Sequence, residues 1–156
     1  MEQVSMNKDM KLSEHFTLGE LTKTSFNTED GNIPSRVVIE NLRNLCENWL
    51  EDLRYSYNTL YHKRGVIINS GYRSPEVNRL AGGAPTSNHL TGCAVDIRVG
   101  GFEQAIRYAS ILLDISEGTK RDFDELFIER NKAGSHWIHF AVRPKNNRRK
   151  TGFIMT

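Results

Sequence analysis

Residues 93–99, CAVDIRV, alternate strictly. In an extended chain Cys93, Val95, Ile97 and Val99 fall on one face, and Ala94, Asp96 and Arg98 on the other. A strand that is apolar on one side only must bury that side and can leave the other beside polar groups. The chain carries material for the cover. Val38, Leu42, Leu45, Cys46, Trp49 and Leu53 recur at three- and four-residue steps, the stripe of an amphipathic helix running from about Ser35 to about Tyr55, with Pro34 suited to its start.

Further elements fall around this pair. Thr17 and Glu20 can form a capping box ahead of a first helix, with Phe16 and Leu21 as its hydrophobic staple. Turn formers fill 25–35. GVIINS (65–70) reads as a strand, and SPEVNRLAGG (74–83) as a short helix with Ser74 at its N-cap, Pro75 in its first turn and a Gly pair at its exit. FEQAIRYASILLDI (102–115) is an amphipathic helix; DELFIE (124–129) and HWIHFAV (136–142) are the last strands. Helices come first, then a small sheet interrupted by helices, with no repeat and no break in 156 residues, a length suited to one core. The reading is an α+β fold, one domain over 1–156, with a small antiparallel sheet, helices packed on one side, and 1–12 and 145–156 as flexible tails.

Composition narrows the partners. Charged residues at 26% and hydrophobic ones at 38% exclude a disordered chain, and no apolar run approaches the roughly 20 residues that span a bilayer, so no membrane insertion is expected. MEQVSMNKDMKLSEHF lacks the apolar core of a secretory signal. The net charge of +2 is uneven, because RPKNNRRK (143–150) holds five basic residues and no acid. That stretch suits either an anionic partner or a solvated arm. Nucleic acid is not expected, since the rest of the chain shows no aromatic-basic surface pattern. Cys46 and Cys93 fall on apolar faces and read as small buried hydrophobes rather than a disulfide pair. A monomer is expected.

Asp96 is the polar residue that interrupts this packed strand, and the small Ala94 leaves room beside it. His89 lies just upstream, in a loop that Gly92 lets turn sharply into the strand. A His and an Asp brought together there are suitable ligands for Zn²⁺, and a mononuclear catalytic zinc takes three protein ligands and keeps one position open. His139, which strand alternation places with Trp137 and Ala141, is the candidate for the third. On spacing alone the alternative stays open that His139 is merely packed or exposed and that Asp96 pairs with Arg98 or a lysine.

Ser87-x-His89-x2-Gly92-x-Ala94-x-Asp96, followed by Trp137-x-His139, resembles the zinc signature of the M15 family of D-Ala-D-Ala carboxypeptidases and related peptidoglycan peptidases. SGYRSPEVN (70–78) resembles the family's substrate-facing segment, and the likeness extends to HFTLGELTKT near the start and FDELFIE before the last strand. The resemblance implies the hedgehog/DD-peptidase type of fold, Zn²⁺ held by His89, Asp96 and His139, and a peptidoglycan stem peptide as substrate. It implies that Ser87 supports a ligand from behind, and that Arg73 meets the substrate's carboxylate or an oxyanion, against the alternative of a structural salt bridge. Tyr72 and Trp137 are expected beside the substrate. For a chain without a secretory signal, release to the wall by phage-type lysis is expected, unless the chain is part of a longer one.

One position departs from the pattern. Better-known members carry Glu or Asp three residues before the last histidine ligand, and here that residue is His136, which alternation puts on the face opposite His139. Glu129 resembles the acid that other members place at the end of the preceding strand. Both stand as candidates for the general base, with Glu129 favoured. Should neither serve, the alternative is a zinc-containing module on the same fold that binds peptidoglycan without cutting it.

Overall fold

Trp49 joins helix to sheet. The computed structural model describes residues 6–156, and in it the Trp49 ring packs 5.0 Å from that of Phe140, on the covered face of the sheet. The helix that carries Trp49 is longer than its stripe suggests. It comprises α2 (Arg36–Leu45), a π-helical turn (Cys46–Leu50) and α3 (Glu51–Leu60). The wider turn brings Cys46, Trp49 and Leu50 inward together, so the buried face continues through Leu53 to Tyr57 without a break. Full burial of each such large side chain stabilises the fold by about 1.5–3 kcal/mol.

The remaining elements are α1 (Leu18–Leu21), β1 (Ile68–Ser70), α4 (Pro75–Leu80), β2 (Ala94–Arg98), α5 (Phe102–Thr119), β3 (Glu125–Arg130), β4 (His136–Ala141) and β5 (Lys150–Met155). The capping box at Thr17 and Glu20 forms, and Ser35 and Ser74 cap α2 and α4. The strand order is β1-β2-β4-β3-β5. All neighbours are antiparallel except β3 and β5, which are parallel, so the α+β domain has a mixed sheet rather than an antiparallel one. Val95, Ile97, Ile138 and Phe140 are fully buried on the covered face, and Cys46 and Cys93 are buried free thiols. No described helix is long and apolar enough to cross a membrane.

Both expected tails differ from the reading where they can be followed. Residues 1–5 lie outside the described residues, and the reading of the extreme N-terminus lies partly with them. Leu12 is buried in the core, and Lys11 bridges to Thr17. At the other end, 150–155 form β5, and the basic stretch is drawn in by acids. Asp124 is fully buried and accepts two hydrogen bonds from the Arg148 guanidinium, from Nε at 3.0 Å and from Nη2 at 2.7 Å. Arg149 reaches Asp122 and Glu117. A carboxylate with no solvent needs a charged partner, and the segment before β5 supplies it.

Gly92 links fold to site. It ends the turn that leads into β2 at φ +73°, and a Cβ there would come within 2.8 Å of the Val38 carbonyl oxygen and side chain. Gly92→Ala is therefore expected to destabilise the protein by about 2 kcal/mol or more in denaturant unfolding, from left-handed strain and the clash together. An unchanged midpoint would contradict this.

Candidate metal centre

Strand register brings two of the expected residues together. Asp96 on β2 lies directly opposite His139 on β4, on the uncovered face. His89 comes from a 3₁₀ turn, Asn88–Thr91, whose first turn is capped by the Ser87 hydroxyl accepting the His89 backbone N–H at 3.1 Å. His89 Nε2 is 3.3 Å from Asp96 Oδ1, and His139 Nδ1 is 3.1 Å from the same oxygen. One ligand atom from each of the three residues lies within 4.8 Å of the others.

The hydrogen-bond chemistry shows that this group fits a cation. His89 Nδ1 is 2.6 Å from the Gly71 carbonyl oxygen. A carbonyl only accepts, so Nδ1 carries a hydrogen and Nε2, which faces Asp96 Oδ1, is the ring atom left to take a proton or a metal. Two acceptors at that distance repel unless a proton or a metal stands between them. Two imidazoles and one carboxylate facing an open cleft are the donor set of a mononuclear zinc site. Burial alone would raise the Asp96 carboxyl, but the imidazole of His89 and the hydrogen bond from His139 hold it well below the usual range. Burial likewise opposes the charged form of His139, yet its hydrogen bonds to Asp96 and Glu125 push it up to about 9.

The group lies in a cleft of about 780 Å³, also lined by Arg73, Ser87, Glu129 and Trp137. Arg73 is both at the cleft wall and in an ion pair: Nη2 donates to Asp96 Oδ2 at 3.2 Å and Nε to Ser70 Oγ at 3.1 Å. Glu129, opposite Trp137 in the register, accepts from Trp137 Nε1–H. Burial pushes its carboxyl up, and the Asp96 charge adds to this, against the pull of His139 and of the Trp137 hydrogen bond.

Two expected residues are not at the cleft. His136 lies on the sheet's other face, its ring 5.5 Å from that of Phe102 on α5, since the strand runs regularly through 136 without a bulge. Tyr72 is packed in the core, because its backbone N–H is held by the Leu21 carbonyl at 2.8 Å. Two contributors escaped the sequence reading: the Gly71 carbonyl and Glu125, which is 3.1 Å from His139 Nε2. Glu125 shares a strand face with Glu129, a pattern visible in DELFIE; a backbone carbonyl leaves no such sign.

The peptidase M15 family model matches residues 14–131. The chain belongs to the peptidase M15 family. The matched segment holds Arg73, His89, Asp96 and Glu129, whereas His139 lies beyond it on β4. M15 peptidases are metalloenzymes, typically of zinc, and membership makes this chain a metallopeptidase with a peptide substrate. A search of curated proteins finds no match.

Proposed function

We propose that this M15 peptidase holds Zn²⁺ with His89, Asp96 and His139 and hydrolyses stem peptides of peptidoglycan, at a D-Ala-D-Ala or similar D-amino-acid bond. The observation that carries the metal and the hydrolysis is the convergence of the three ligand atoms in a cleft that also contains Glu129. The wall substrate is supported by the Ser87-to-Asp96 signature and by Arg73, the one residue of SGYRS that lines the cleft.

Zinc bound there supplies Lewis acidity, polarising a scissile carbonyl and lowering the pKa of a water. Glu129 takes the proton of the attacking water and returns it to the leaving amine. Trp137 Nε1–H holds Glu129 Oε2 and leaves Oε1 for that proton. Arg73, anchored by Asp96 and Ser70, offers its remaining N–H groups to the substrate's terminal carboxylate or to charge developing on the carbonyl oxygen. Ser87 fixes the turn that carries His89, and Trp137 forms the wall beside the peptide. Glu129 in the same cleft favours hydrolysis over the binding-only alternative.

Incubating the zinc-loaded full chain with purified muropeptides ending in D-Ala-D-Ala tests the substrate. Loss of D-Ala or an internal cut, seen by mass spectrometry and blocked by a chelator, is expected. A chain that keeps its zinc and leaves every stem peptide intact would refute the peptidoglycan reading.

Proton competition gives a further expectation. With His139 pushed up to about 9, the metal-free ring is charged at neutral pH and must lose a proton to ligate. Zinc affinity should fall about tenfold for each pH unit below about 9 and level off above it. The same shift stabilises the metal-free fold fully below the ordinary imidazole value of 6.5, a contribution lost as pH rises through about 9. Zinc competition assays across this range check the slope; a flat profile would contradict it.

A further inference from the structure

We infer that Glu125 is a positioning residue for His139, holding its ring so that Nδ1, and not Nε2, faces the metal. The inference rests on the metal site proposed above. His139 Nε2 lies 3.1 Å from Glu125 Oε1. Ionised carboxylates only accept, so in the metal-free ring both N–H groups donate, Nε2 to Glu125 and Nδ1 to Asp96. When the ring gives up one proton to ligate, the Glu125 bond keeps the hydrogen on Nε2 and leaves the lone pair on Nδ1. Nδ1 is the atom 3.1 Å from Asp96 Oδ1, on the side where His89 Nε2 also points. A histidine that donates its second ring N–H to a carboxylate is fixed in orientation and is a more basic ligand.

Glu125 is itself held. Asn88 Nδ2–H donates to Glu125 Oε1 at 2.7 Å, and Arg148 Nη2 lies 3.8 Å from Oε2. Asn88 directly precedes His89 in the 3₁₀ turn. One amide therefore ties the turn bearing the first ligand to the carboxylate that supports the last. Phe127, opposite His139 in the register, stacks on its ring at 5.7 Å with an interplanar angle of 12° and restricts rotation from the side. Glu125 Oε1 already accepts from both Asn88 and His139, which separates its role from that of Glu129.

The test uses the full chain as wild type, Glu125→Ala and Glu125→Gln. Zn²⁺ affinity is measured by competition with a chromophoric chelator, alongside thermal unfolding of the metal-free proteins. Glu125→Ala should weaken zinc binding about 10–100-fold. Glu125→Gln keeps an accepting oxygen and should recover most of that loss. In the zinc-loaded wild type, ¹⁵N-resolved NMR of the His139 ring should show a slowly exchanging proton on Nε2, and this signal should be lost in the Ala variant. If the Ala variant does not fold, the Gln affinity and the wild-type spectrum decide. The inference is overturned if Ala binds zinc as tightly as wild type, if Gln is as weak as Ala, or if the zinc-loaded ring carries its proton on Nδ1. A wild type that takes up no zinc would instead overturn the metal site itself, and this inference with it.

Discussion

Glu129→Gln is expected to lower kcat by about 10²–10⁴, the usual contribution of a general acid–base group, while zinc uptake stays unchanged. Glu129 lies in the cleft but outside the group of converging ligand atoms, so its loss removes proton transfer and not the metal. Burial, the leading influence on its carboxyl, raises it toward working pH, which suits a base that must also give the proton back. Because the group works ionised, activity should rise with pH through its raised value. His136→Gln serves as the control. Its ring stands against Phe102 on the other sheet face, so little change in kcat is expected. Equal losses in the two variants, or loss of zinc from Glu129→Gln, would contradict the assignment.

Asp96→Ala should abolish stoichiometric zinc binding and destabilise the metal-free protein by about 3 kcal/mol. The two effects have one origin. Asp96 Oδ1 faces both His89 Nε2 and His139 Nδ1, and Oδ2 accepts from Arg73. Without the carboxylate only two protein ligands remain, against the three that such a site needs. The Arg73 guanidinium and the His139 imidazole, both mostly buried, also lose their shared counter-charge. Zinc titration and denaturant unfolding read the two effects separately. A variant that binds one zinc as tightly as wild type would remove Asp96 from the site.

The metal group could be read from the sequence because each piece has a local cause. Alternation alone puts Asp96 on the uncovered face of 93–99 and His139 with Trp137, and Gly92 explains how His89 is turned back toward them. The helical stripe was readable for the same reason, although its continuation through a π-helical turn was not. The remaining features depend on register and on distant charges. Glu125 meets His139 only because Phe127 pairs with it across β3 and β4. β5 belongs to the sheet because Asp124, buried without solvent, takes Arg148 as partner, and nothing near 143–150 announces that demand. Tyr72 is expected at the cleft from the family likeness of SGYRSPEVN, but the hydrogen bond from its backbone to Leu21 goes with a side chain turned into the core.

X-ray absorption at the zinc edge, on full chain loaded with one equivalent of metal, tests the central claim most directly. The expected spectrum shows one zinc per chain with two imidazole nitrogens and carboxylate oxygen at about 2.0–2.2 Å, plus an exchangeable ligand. His139→Ala should lose one imidazole from that shell. A zinc shell containing sulfur, or one left unchanged by His139→Ala, would contradict the account.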